Sequence, residues 1–328
     1  MAAARPHGNP VVGHGKTTPG AARAGDQGAV RGGGGVNEIE VVRPGPLTTV
    51  QDLGRPGLAA LGVGASGAAD RRSASLANRL VGNHDGSACL ESTFGGLALR
   101  FRHRSHVAVS GAPCPITRDG RGEAMNSPFT VGPGEELVLG PPSSGLRTYL
   151  AVRGGIGVEP TLDSRATDLL SGLGPPALSA GDVLPVGGAV TGPLPAVSVA
   201  PVADPPRTGL SVRVLPGPRD DWFTPGALQV LGNSRYTVTS ESNRVGVRLD
   251  GPKLTWDRQE ELPSEGMVIG AIQVPPSGLP VLFLADHPVT GGYPVIAVVV
   301  TEDLPVVAQA CPGQAMTFRV VKRSARAA

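Results

Sequence analysis

From Ile39 onward the chain is a succession of short Val/Leu/Ile runs broken by glycine and proline, as in "EGMVIGAIQVPPSGLPVLFLADHPVTGGYPVIAVVV". This rhythm constrains the fold more than any other feature. Runs of this length are too short for most helices, and the Gly/Pro breaks between them are turn signals. With 48 glycines and 33 prolines, much of the excess falls in those turns. Regularly spaced strands with almost no helix between them exclude a parallel α/β sheet and point to barrels or sandwiches, an all-β protein with minor α content.

One helix is expected. In "SGAADRRSASLANRLVGN" the residues Leu76, Ala77, Leu80 and Val81 have helical spacing. Gly82-Asn83 supplies a stop signal, so the helix should run from about 68 to 81. In "LALRFRHRSHVAVSG" Leu99 and Phe101 alternate with Arg100, Arg102 and Arg104, which reads as a half-buried strand with one cationic face.

The chain divides into five parts on composition. Residues 1–36 are small, polar and Gly/Pro-rich and are expected to be disordered, because they bury too little apolar surface to offset the entropy of ordering. A first β domain spans 37–190, a proline-rich linker 191–207 and a second β domain 208–321, with a basic tail at 322–328. A net charge of +2 gives no footprint for nucleic acid or a membrane surface. Cys89, Cys114 and Cys311 are odd in number and far apart, which fits a reducing cytosol better than a disulfide framework or zinc site. No apolar run has the ~18 residues of a membrane span, and the N-terminus lacks the apolar core of a signal peptide. A cytoplasmic protein is expected.

Several polar clusters are candidates for chemistry, each with a plainer explanation beside it. "GVGASG" (Gly62, Gly64, Gly67) fits the dinucleotide pattern G-x-G-x-x-G, but the pattern needs a βαβ unit. Its other reading is a turn into the helix, with Ser66 or Asp70 near the helix N-terminus. "GHGKTT" at 13–18 mimics the end of a phosphate loop, with Pro10 where a glycine is required. "VRGGI" offers Arg153 and Gly154 to an anionic ligand, or simply makes a hairpin. "SRATD" pairs Arg165 with Asp168, and "TSESNRVG" brings Glu241, Ser242, Asn243 and Arg244 together; structural ion pairs explain both equally well. Gln273 begins the turn "QVPPSGLP" and reaches Thr290 only if its side chain points along the strand. "ADHPVTGGYPVIA" holds His287, Thr290, Gly291, Gly292 and Tyr293 between two apolar runs, as either a turn or a binding loop. No Ser-His-Asp spacing, zinc signature or acid/base pair stands out, and no metal site is expected.

Together "GPLTTVQDLGRPG", "SGAADRRSASLANRLVGN", "VRGGIGVEPTLDSRATDLLSGLG" and "ADHPVTGGYPVIA" resemble the biotin-dependent carboxyltransferase family. That family includes the 5-oxoprolinase C subunits, the Kip-type regulators and part of the carboxyltransferase region of urea carboxylase. The resemblance covers roughly 39–321. It implies two cyclophilin-like β-barrel domains and partners homologous to the A and B subunits of 5-oxoprolinase. It also implies ATP-dependent opening of 5-oxoproline to glutamate by the assembled complex, the chain being inactive alone. The alternatives it carries are carboxyl transfer from carboxybiotin to a urea-like amide, with biotin supplied by a partner protein, and a regulator that binds a partner subunit. Both substrates are small planar amides. With the resemblance, ligand contacts are expected at Arg153, Gly154, Asn243, Arg244, Thr290, Gly291, Gly292 and Tyr293, of which Thr290 to Tyr293 match the family. Gln273 is added for its place in the partner turn. On that reading Arg244→Ala stops turnover and leaves the barrel folded. Pro288-Val289 stand where relatives often carry Gln-Thr, so His287 lies outside the matching stretch.

Overall fold

The computed structural model describes residues 37–188, 190–258 and 260–322. The N-terminal segment, with its "GHGKTT", and nearly all of the basic tail lie outside these residues.

Strands dominate, and they fall into two systems. In the first half, a six-stranded sheet runs in the order Val183–Pro185, Glu38–Pro44, Leu97–Phe101, Glu136–Leu139, Ile116–Arg118, Arg121–Glu123. A five-stranded sheet runs Leu47–Gln51, Cys89–Thr93, Arg147–Val152, Ser105–Gly111, Pro128–Val131. One core joins them: Ile39, Leu97, Leu99, Phe101 and Leu137 from the first sheet meet Val50, Leu90, Val107, Leu150 and Val152 from the second. The strands are divided between two sheets, whereas closure into a barrel is seen in the second half.

The strand Arg147–Val152 is buried at every residue, which period-two alternation alone does not give. The helix Arg71–Leu80 supplies the cause. Leu150 and Val152 face the inter-sheet core, while Tyr149 and Ala151 pack with Ala74, Ala77 and Leu80 on the other side. The helix starts where the expected cap lies, with the Asp70 side chain accepting from Ser73 N–H at 3.0 Å.

Arg100 and Arg102 do point outward and each meets a carboxylate, while Arg104, exposed, lies beyond the strand's end at Phe101. Arg100 pairs with Glu136 at 3.0 Å and Arg102 with Glu38 at 2.5 Å. Partners in neighbouring strands balance these two charges, and at this exposure such pairs contribute ~0–1 kcal/mol each.

The second half is a closed barrel in the order Gly209–Pro216, Val295–Val299, Ala271–Gln273, Val281–Phe283, Gly246–Asp250, Arg235–Val238, Ala315–Val320. It closes through a parallel pairing of Ala315–Val320 with Gly209–Pro216. Val212, Tyr236, Ile272, Leu282, Ile296 and Phe318 fill the interior. Helices Ala227–Asn233 and Leu304–Ala308 and a two-stranded ribbon, Glu265–Gly266 with Thr290–Gly291, complete the half. The proline-rich stretch between the halves is held against the first: Thr191 N–H donates to Gly82 O and Ala200 N–H to Asn126 O.

A buried charge network joins the halves. Arg244, 1 % exposed, donates to both Asp286 carboxylate oxygens at 2.9 Å, to Gly67 O at 2.7 Å and to Glu91. Glu91 also accepts from the Tyr149 hydroxyl at 2.8 Å and Ala69 N–H at 3.0 Å. Asp286 accepts from Ser66 Oγ at 2.7 Å and from Leu169 N–H. Beside it, Gln309 accepts from the N–H groups of Leu146 and Arg147 and donates to Asp70 at 2.9 Å.

Burial pushes the Glu91 carboxyl up, yet the charges of Arg244 and Arg147, with the Ala69 hydrogen bond, hold it below its ordinary value of 4.5. A depressed folded-state pKa stabilises the fold above the unfolded value, and that contribution is lost as pH falls through the folded value. The urea midpoint is therefore expected to fall as pH drops below about 4.5. Glu91→Gln should flatten that dependence in a pH series of urea melts; an unchanged slope would exclude Glu91 as its source.

Candidate functional site

The motifs singled out in the sequence converge, but not on one point. "GVGASG", "SRATD", "TSESNRVG" and the beginning of "ADHPVTGGYPVIA" meet at the junction of the halves, where Ser66, Thr167, Arg244 and Asp286 are bonded together. A Cβ on Gly64 would come within 3.5 Å of His287 O and 3.6 Å of Asp168 Oδ2. Four of the five Arg244 donors are used by protein groups and its side chain is buried, so it faces the junction rather than solvent. Burial lowers its pKa, but Glu91 and Asp286 more than offset this and keep it charged. Asn243 is exposed and builds the adjoining turn, its Oδ1 accepting from Val245 N–H at 2.8 Å.

"GVGASG" makes its contacts with the protein itself. Arg55 N–H donates to Ala65 O, and a Cβ on Gly67 (φ +95°) would sit 2.7 Å from Gly54 N and Leu53 C. Glycine is required there by close backbone packing, and no crossover strand surrounds the loop. These residues do not fit a phosphate cradle for ATP. Among the described residues, no group of three or more His, Cys, Asp and Glu could hold a metal ion.

Arg153 and Gly154 lie elsewhere. Arg147 contacts Ala308 of the second half, and six residues of extended strand at ~3.3 Å per residue carry Arg153 roughly 20 Å from it. Arg153 donates to Val81 O at 2.8 Å and Gly192 O at 2.6 Å, and Gly154 N–H to Asn83 Oδ1 at 2.8 Å. A Cβ on Gly154 (φ +99°) would collide with Gly187 O. This pair fastens the helix end and the connector to the strand.

The remaining four residues and Gln273 come together on the barrel wall. Gln273 pairs with Val281 at the start of one strand and Gly246 with Phe283 at its end, so Gln273 and Arg244 lie at opposite ends of that strand. The segment after Asp286 climbs the wall, using Thr290–Gly291 as an outer strand against Glu265–Gly266. Gln273 does reach it: Nε2 donates to Tyr293 O at 3.0 Å and touches Met267 Sδ at 3.9 Å. A Cβ on Gly291 would stand 2.6 Å from that nitrogen. Thr290, Gly292 and Tyr293 are exposed, and the Tyr293 ring tilts against Trp256 at 6.2 Å between centroids.

Three neighbours of this surface were missed in the sequence: Arg219, Trp256 and Glu265. Glu265 stands opposite Gly291 in the ribbon and pairs with Arg219, whose own N–H donates to Val295 O. The hydrogen bond to Glu265 raises the Arg219 pKa, keeping a cation beside the loop. They come from separate stretches, "GPRDDW", "TWD" and "SEG", with no common spacing. The surface carries an aromatic face, a hydroxyl and a guanidinium whose charge is balanced by Glu265.

A closed seven-stranded barrel joined by buried charge to a two-sheet half places the chain in the mostly-β class. The chain belongs to the family described as carboxyltransferase domain, subdomain A and B, which matches residues 61–320. It is similar to the 5-oxoprolinase C subunit of Escherichia coli, at 36 % identity over 85 % of this chain and 90 % of that protein. The corresponding Haemophilus influenzae protein is 31 % identical over 86 % and 91 %. Urea amidolyase of Lachancea kluyveri is 34 % identical, with 85 % of this chain spanning 17 % of that protein. Among solved structures, TTHA0988 superposes with a TM-score of 0.77 at 35 % identity, covering 86 % of this chain and 55 % of that one. Kluyveromyces lactis urea amidolyase gives 0.76 at 33 %, over 86 % of this chain and 18 % of that one.

Proposed function

We propose that the chain is the C subunit of an ATP-dependent 5-oxoprolinase, working with A and B subunits to open 5-oxo-L-proline to L-glutamate. The observation that carries this is similarity along nine-tenths of two proteins named as 5-oxoprolinase C subunits, where the urea amidolyase match spans under one-fifth. The chemistry of the barrel wall agrees. A lactam is flat and polar, and Tyr293 with Trp256 offers a face for it. Thr290 supplies a hydroxyl, and Arg219 a guanidinium that Glu265 holds in place and balances in charge. Such donors, aimed at the lactam oxygen, would stabilise negative charge developing there. Phosphorylation by ATP would activate the carbonyl. The nucleotide is assigned to a partner, since the glycine loop of this chain is filled by its own packing.

The urea amidolyase likeness supports a second reading, carboxyl transfer from carboxybiotin supplied by another protein to a urea-like amide. Avidin separates the two. Turnover of 5-oxoproline by the co-purified subunits that is indifferent to avidin is expected, and inhibition by avidin together with urea-dependent turnover would favour the second reading. Complex formation with neither turnover would instead identify a regulator.

A further inference from the structure

A large cavity that shares no residue with the Thr290–Tyr293 surface lies toward the opposite end of the barrel strands from Tyr293. It is a cleft of about 670 Å³ between the halves, within the ordinary range for small-molecule sites. The first half contributes Phe94 and the turn with Ser143 and Ser144, and the second contributes Arg207, Arg235 and Cys311. The barrel register separates it from the proposed substrate surface. Arg235 pairs with Thr317 near the start of Ala315–Val320, and Gly209 with Ala315, whereas Tyr293 precedes the start of Val295–Val299. Val295–Val299 runs antiparallel to Gly209–Pro216, with Pro216 opposite Ala297 and Val214 opposite Val299, so the two sites flank opposite ends of these strands.

Four features fit this cleft for an anion with a flat body. No aspartate or glutamate lines it, and neither Arg207 nor Arg235 makes an ion pair among the described residues. Two guanidiniums without carboxylate partners beside one cleft attract a carboxylate or phosphate, which their planar forks can grip. Ser144 is 7 % exposed, and its Oγ is buried without a hydrogen-bond partner. Phe94 is 45 % exposed and held at φ +63°, a left-handed conformation that costs a bulky residue strain. Its N–H is fixed to Leu146 O at 3.0 Å, so the ring is presented at the cleft instead of being packed away. The walls are set in advance: Cys311 Sγ donates to Gly145 O at 3.1 Å, and Gln309 bonds the N–H groups of Leu146 and Arg147 from across the junction.

We infer that this cleft is a second ligand site, taking a small organic anion whose carboxylate or phosphate meets Arg207 and Arg235 and whose planar body lies against Phe94. The ligand bridges both halves of the chain and is separate from the substrate surface at Thr290–Tyr293.

Calorimetric titration of the full chain with benzoate, phenyl phosphate and uncharged benzamide tests this. Benzoate or phenyl phosphate should bind with one-to-one stoichiometry, the tighter of the two identifying the anionic group, and benzamide at least tenfold more weakly. Arg235→Ala and Arg207→Ala should each weaken the anion at least tenfold, and Phe94→Gly should weaken it while leaving the melting temperature equal or higher. Tyr293→Ala should leave it unchanged. The arginines are exposed, so their variants should fold, and melting curves check this. The proposal is overturned if neither anion binds at millimolar concentration, if benzamide binds as tightly, or if the arginine variants bind as the wild type does. Loss of oxoprolinase activity with anion binding intact would sink the functional assignment and leave this site standing.

Discussion

Arg244→Ala should lower the stability of the chain by ~3–5 kcal/mol, because it leaves buried Asp286 without its cation and Glu91 with Arg147 alone, at 3.5 Å. Glu91 and Asp286 are 1 % exposed each, and both depend on Arg244. For a unit of this size the melting temperature should fall on the order of 10 °C. The resemblance alone gives a different expectation, a folded but inactive barrel. The geometry makes activity loss and stability loss arrive together, since the same side chain ties Gly67 of the first half to Asp286 of the second. A double variant, Arg244→Ala with Asp286→Leu, should be less destabilised than the sum of its single changes, the signature of a coupled pair. Thermal melts of the four proteins decide it, and an Arg244→Ala curve that overlays the wild type would remove the clamp from the account.

Gly291→Val is the complementary case, with a large functional effect and a small structural one. The glycine lies in a two-residue outer strand, and its backbone is not in the left-handed region. A side chain there would meet Gln273 Nε2 at 2.6 Å and Met267 at 3.3 Å. Gln273 would have to release Tyr293 O, and the loop that carries Thr290 and Tyr293 would shift outward. Misplacement of positioning groups by about 1 Å costs ~100-fold in rate. We expect a fall of that order in kcat/KM for 5-oxoproline by the assembled enzyme, with the barrel's melting curve shifted by no more than a few degrees. Normal kinetics from a folded Gly291→Val complex would take the Thr290–Tyr293 surface out of the reaction.

The contrast between these residues shows what the sequence could and could not disclose. The all-β class was legible because strand length and Gly/Pro punctuation are local properties. The helix was legible from Leu76, Ala77 and Leu80, and Asp70 from its place before them. The burial of the whole strand Arg147–Val152 was not, since it depends on the helix covering the outer sheet face. In the same way Arg244 and Asn243 are neighbours in sequence, yet one is sealed in a network and the other lines the turn beside it. Glu91 and Tyr149, partners of that network, carry no signal in their own stretches. Gln273 lies beside Tyr293 because it pairs with Val295 in the neighbouring strand, a register that the turn sequence does not disclose. Arg219, Trp256 and Glu265 became neighbours only through barrel closure.

The central claim, that this chain completes a 5-oxoprolinase, is tested most directly by glutamate release from 5-oxo-L-proline. The assay compares candidate A and B subunits alone with the same subunits plus this chain, ATP present throughout. Glutamate formation and matching ATP hydrolysis are expected only when the chain is added, and both should be lost with Gly291→Val. Equal glutamate release with and without the chain, or none with all three present, would contradict it.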